Sequence, residues 1–169
     1  MYYETIRQLH KSLGNLDAIL AKATTQAAER GYPVDNFMTA RLAPDMLPFP
    51  VQVTIACDVA KFAGAVLAGK EVPKFPDGEK TVAELRERIG KTLAFLDTLQ
   101  PGDFARLKAD TIVPIPYPPG KAMHAQDALF SRTIPNFYFH MVTAYALLRH
   151  GGITIGKMDY LGELKMFDA

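Results

Sequence analysis

Few side chains in this chain of 169 residues can do chemistry, and the most conspicuous is an imidazole set in an oily segment. Residues 135–152 read Pro-Asn-Phe-Tyr-Phe-His-Met-Val-Thr-Ala-Tyr-Ala-Leu-Leu-Arg-His-Gly-Gly. His140 lies near the middle, with Asn136 one helical turn before it. Near neutral pH an imidazole can serve as general base, hydrogen-bond partner or metal ligand. A second polar group sits where apolar ones are expected: Gln52 shares a helical stripe with Ile55, Val59, Phe62 and Val66. A buried amide needs partners for its hydrogen bonds. Asp58 lies at the edge of that face, with Lys61 three residues on and able to pair with it. Arg41 and Asp45 stand in an apolar connection, where they either pair and pin the loop or rim a pocket at one end of the fold. Cys57 reads as a small buried hydrophobe, and His10 and His124 as surface histidines.

The elements that must position these groups are helices. Pro135 suits a first helical turn, where its missing N–H has no partner anyway, and Gly151-Gly152 suit a helix end. A helix that is apolar all round must be surrounded by other elements, so 135–150 is expected to be the most buried. Residues 2–30 form a first helix: Ile6, Leu9, Leu13, Leu16, Leu20, Ala23 and Ala27 recur three and four apart. A long connection, 32–49, leads to a second helix over 50–68, begun by Pro50 and ended by Gly69. Residues 69–80 form a loop. Thr81 and Glu84 make a capping box that opens a third helix over about 81–100. Its inner face carries Leu85, Ile89, Thr92, Phe95, Leu96 and Leu99. Glu84, Arg86, Glu87, Arg88 and Lys91 read as a solvated outer face. A proline-marked hairpin is expected within 104–133, and residues 153–169 read as an extended tail that packs back on the bundle or on a second subunit. Together these predict one all-α domain over 1–169, a four-helix bundle with a short hairpin-like insertion before the last helix. Twelve loop residues reach about 40 Å when extended and a 19-residue helix spans about 28 Å, so the 69–80 loop can return along the bundle and make helices two and three parallel.

Composition narrows the class. Hydrophobic residues make up 49% of the chain, which predicts a folded core. A net charge of +1 with interspersed signs gives no reason to expect nucleic acid or an anionic membrane as partner. A single cysteine, no basic-then-apolar N-terminal run and no uninterrupted apolar stretch of membrane length predict a cytoplasmic protein.

The run Pro135 to His140, with Ala144-Tyr145, Leu148-Arg149 and Gly156-Lys157-Met158-Asp159-Tyr160-Leu161-Gly162, resembles a branch of the DinB-like (DinB/YfiT) superfamily, a bacterial family known as a domain of unknown function. Arg41 to Met46, Gln52-Val53 and Ala56 to Lys61 resemble the same branch. The resemblance covers nearly the whole chain. It implies an up-down-down-up bundle, usually dimeric, and a metal site built from one histidine on helix two and a pair one turn apart on helix four. By position, His140 matches the second histidine of that pair. Asn136 stands at the first position and Gln52 at the helix-two position, so one histidine of three remains. Amides are weak ligands for transition metals, and a catalytic zinc keeps three good protein ligands. A zinc or nickel site would therefore need Asp58 or Asp45 as well as His140. Two other readings of the same groups stay open: a buried cluster in which His140, Asn136 and Gln52 satisfy one another, and a metal-free small-molecule pocket.

Three functions follow as expectations. The first is binding of a small ligand in a pocket at one end of the bundle, lined by Phe137, His140, Gln52 and Asp45 with Tyr138 and Tyr145 as aromatic walls. The second, by resemblance, is a metal-dependent thiol transferase or hydrolase, with His140 as ligand or general base and Asp58 orienting it. The third is a homodimeric interaction protein whose apolar tail is its working surface.

Overall fold

The computed structural model describes residues 1–168. Four long helices carry the fold: α1 (Tyr2–Glu29), α2 (Phe49–Ala68), α3 (Val82–Asp97) and α4 (Ile134–His150). A two-stranded antiparallel hairpin, β1 (Ile112–Pro114) with β2 (Ala122–His124), precedes α4, and a short α5 (Lys157–Leu161) follows it. The predicted stripe on α1 is the core face, with Ile6, Leu9, Leu13, Leu16, Leu20, Ala23 and Ala27 all fully buried.

Paired side chains give the direction of each helix. Arg7 meets Asp97 and Arg86 meets Asp17, so α1 and α3 run antiparallel. Asp58 meets Arg88, and further along both helices Gly64 meets Leu96 and Leu99, so α2 and α3 run parallel. Gln52 meets His140, whereas Phe62 and Ala63 share a crevice with Thr133, so α2 and α4 run antiparallel. The order is up-down-down-up, with the 69–80 loop returning along the bundle between the two parallel helices.

Local chemistry sets the ends. Thr81 Oγ1 accepts from the Glu84 N–H at 3.2 Å while Glu84 accepts from the Thr81 N–H at 3.1 Å, which is the predicted capping box. Gly69 ends α2 at φ 67°, a conformation glycine adopts without steric cost. At the end of α4 the two glycines divide their tasks. Gly152 takes the positive φ. Gly151 is needed for space, because a Cβ there would overlap the Phe37 ring.

Three elements differ from the sequence reading. The connection before α2 carries a 3₁₀ turn, Val34–Thr39, that buries Phe37. The helix holding His140 does not begin at Pro135; it continues back through a π-helical turn, Ala128–Thr133, to Ala125. The missing N–H of Pro135 thus falls beside a turn where the regular hydrogen-bond ladder is already interrupted. The tail is not wholly extended: α5 docks on α1, where Asn15 donates to the Tyr160 carbonyl at 3.0 Å and Lys22 pairs with Asp159 at 3.1 Å. α2 is long and apolar enough to cross a membrane, yet 67% of its most apolar window is buried inside the bundle, as suits a core helix.

Candidate functional site

His140 and Gln52 meet across the α2–α4 interface. His140 is 8% exposed and Gln52 1%, and His140 Nδ1 lies 2.7 Å from Gln52 Oε1. The amide's other end donates from Nε2 to the Leu47 carbonyl at 2.8 Å. A carbonyl can only accept, so the Gln52 oxygen must be the end that faces the ring, and His140 Nδ1 must carry the proton. In the neutral imidazole the lone pair is then on Nε2. Burial pulls the His140 pKa below its ordinary value of 6.5 and keeps the ring neutral. The edge of this pair is covered by Phe139, whose ring meets the imidazole edge-on at 5.2 Å.

The other candidates are placed elsewhere. Arg41 and Asp45 are exposed and do not pair with each other; Arg41 donates instead to the Met46 carbonyl, bracing the turn that offers Leu47 to Gln52. Tyr138 faces α1, its hydroxyl 3.4 Å from Ser12 Oγ, and so does not wall a pocket with His140. Two positions along a helix turn about 200° around its axis, which puts 138 and 140 on opposite sides. Tyr145 packs edge-on against Tyr160 of α5. Asp58 does not orient His140; it is held by Lys61 at 2.7 Å and by Arg88 at 2.9 and 3.0 Å. Cys57 is fully buried, and burial pushes its thiol up to about 12, so it carries no thiolate near neutral pH.

These residues do not fit a metal. Asn136 and Gln52 offer neutral amides, the Gln52 oxygen is committed to the imidazole N–H, and among the described residues no carboxylate lies within ion-pair distance of His140. Among the described residues no three His, Cys, Asp or Glu side chains converge on one point. His140 Nε2 alone would be a single strong donor where a transition metal needs about three.

What the structure does hold is a cleft of ≈ 640 Å³ on the side of the bundle rather than at its end. Ile55, Val59 and Phe62 of α2 form its floor, and Val72, Pro73 and Phe75 of the 69–80 loop form a wall. Asn136 lines it from α4, one turn before His140, and Asp58 lines it from α2, whereas neither His140 nor Gln52 does. The wall is fixed by Arg88, which is 2% exposed and not part of a solvated face. Its guanidinium reaches Glu79 at 2.8 Å, Asp77 at 3.0 Å and the Pro76 carbonyl at 3.2 Å from the loop, besides Asp58. Lys61 completes the clamp, its ammonium 4.4 Å from the centre of the Phe75 ring. Two signals in the sequence pointed here. Position 88 falls between Leu85 and Thr92 at inward spacing, and the loop is unusually apolar at Val72, Pro73, Phe75 and Pro76.

Comparison with known proteins agrees with this architecture. The model of a family described as a domain of unknown function (DUF1993) matches residues 1–161. The crystal structure of a DinB family member protein from Shewanella denitrificans superposes with a TM-score of 0.91 at 39% sequence identity, covering 99% of this chain and 95% of that one. No curated protein matches the chain. With nearly its whole length matched in sequence and in fold, the chain belongs to the domain of unknown function family DUF1993, a DinB-like family.

Proposed function

We propose that this protein is a small-molecule-binding bundle whose site is the cleft between α2, the 69–80 loop and the start of α4. The observation that carries the reading is the cleft itself. Its ≈ 640 Å³ falls within the range of about 300–1,000 Å³ usual for ligand sites. An aliphatic and aromatic surface, Ile55, Val59, Phe62 and Phe75, is bordered by polar and charged side chains, among them Asp58, Arg132, Thr133 and Asn136. The buried Arg88 clamp supports the same reading, since it holds the loop wall in place before any ligand arrives. His140 and Gln52 act behind the cleft: their hydrogen bond fixes α4 against α2 and so sets the position of Asn136.

Titration with the neutral apolar fluorophore N-phenyl-1-naphthylamine tests the site. Saturable fluorescence enhancement is expected, together with its loss in Val59→Trp, whose indole fills the floor. Unchanged binding by a folded Val59→Trp variant would place the ligand site elsewhere.

A further inference from the structure

We infer that the cleft takes an organic monocarboxylate with an apolar body, its carboxylate held by Arg132. This rests on the reading of the cleft as a ligand site and adds the chemistry of the ligand. Three cations line the cleft, Lys61, Lys74 and Arg132, against two carboxylates, Asp58 and Asp77. Both carboxylates are already engaged by Arg88, and Asp58 by Lys61 as well. Among the described residues no carboxylate lies within ion-pair distance of Arg132 or Lys74, so the positive charge on the walls is in surplus.

Arg132 is also the cation best placed to use it. It is partly buried, it borders the cleft, and it stands in the π-helical turn Ala128–Thr133. Such turns re-aim side chains and recur at functional sites. Thr133 is its neighbour and Asn136 lies one turn on, so three polar residues border the cleft from the same short stretch. The planar guanidinium fork matches a carboxylate in two parallel hydrogen bonds, and partial burial strengthens them. Ile55, Val59, Phe62 and Phe75 leave an apolar surface for the rest of the molecule.

Three probes of one size separate charge from bulk: hexanoate, 1-hexanol and hexylamine, each titrated calorimetrically into the full-length protein at low salt. Hexanoate is expected to bind at least tenfold tighter than 1-hexanol, and hexylamine weakest. Arg132→Gln, a change at a partly exposed position, is expected to remove the advantage of hexanoate and leave 1-hexanol unchanged. Equal binding of hexanoate and 1-hexanol, or a preference for hexylamine, overturns the carboxylate assignment, as does an Arg132→Gln variant that keeps the preference. If none of the three binds, the carboxylate assignment fails, and the naphthylamine titration decides separately whether the cleft binds ligands at all.

Discussion

Replacing Arg88 by methionine removes a cation of α3 that binds both the 69–80 loop and α2. The magnitude follows from the exposure of each partner. The pair with Asp77 is exposed at its acid end, with 82% of that side chain accessible, and contributes at most about 1 kcal/mol. Asp58 is 41% accessible and keeps Lys61 at 2.7 Å, so its loss is small as well. Glu79 is 13% accessible and loses its cationic partner, which costs about 2–3 kcal/mol. The Pro76 carbonyl loses a donor, while the unpartnered, buried Arg88 Nε is relieved. The net expectation is a loss of about 3 kcal/mol, a large share of the roughly 5–15 kcal/mol that holds a domain together. In a domain of this size that lowers Tm by about 6–12 °C.

Urea denaturation followed by circular dichroism measures the loss, and hydrogen exchange over 70–80 should accelerate with it. An acid limb provides an independent check. Burial pushes the Glu79 carboxyl up, but the Arg88 hydrogen bond and backbone N–H groups more than reverse this and leave it below the ordinary value of 4.5. Its stabilisation is therefore complete above pH 4.5 and is lost as pH falls through the lower folded value. In Arg88→Met burial is opposed by the backbone N–H groups alone, so this loss should begin at higher pH. Replacing whole buried ion pairs by apolar groups can stabilise a protein, but here the carboxylates remain. A loss under about 1 kcal/mol, or a gain, would refute the view that Arg88 holds the loop.

Two further predictions concern α4. His140 has a folded pKa below 6.5, so its contribution is complete above that pH and declines as pH falls toward the folded value. Unfolding free energies between pH 7.5 and 5 should therefore fall more steeply in the wild type than in His140→Gln, and ¹⁵N chemical shifts should show the proton on Nδ1; equal slopes or an Nε2–H ring would contradict the assigned tautomer. Gly151→Ala should lose about 1–3 kcal/mol in urea denaturation, because its methyl overlaps the buried Phe37 ring; a neutral result would show that the ring has room to move.

Much of the scaffold was legible from residue spacing. The α1 stripe, the Thr81–Glu84 cap and the position of Gly69 each depend on residues within a turn or two of one another, and each is found where spacing placed it. The inward direction of His140 was legible for the same reason: in an all-apolar helix nearly every direction is inward. Partners were harder to read. Gln52 was recognised as an amide in need of a bond, and it found His140. Asp58 was expected near that imidazole and lies instead on Arg88, because helix α3 brings a cation closer. Tyr138 and His140 share no pocket, because two positions along a helix turn their side chains apart.

Periodicity along one strand of sequence thus determined the helices, their caps and the buried faces, since those rest on contacts three and four residues apart. Only the tertiary structure decided which polar groups meet, that the 69–80 loop becomes a cleft wall and that Arg88 is swallowed beneath it. Apolar stripes hold helices together while leaving many rotations and axial registers nearly equal in energy. The few ion pairs and hydrogen bonds that choose among them join residues far apart in the sequence, 88 positions in the case of Gln52 and His140.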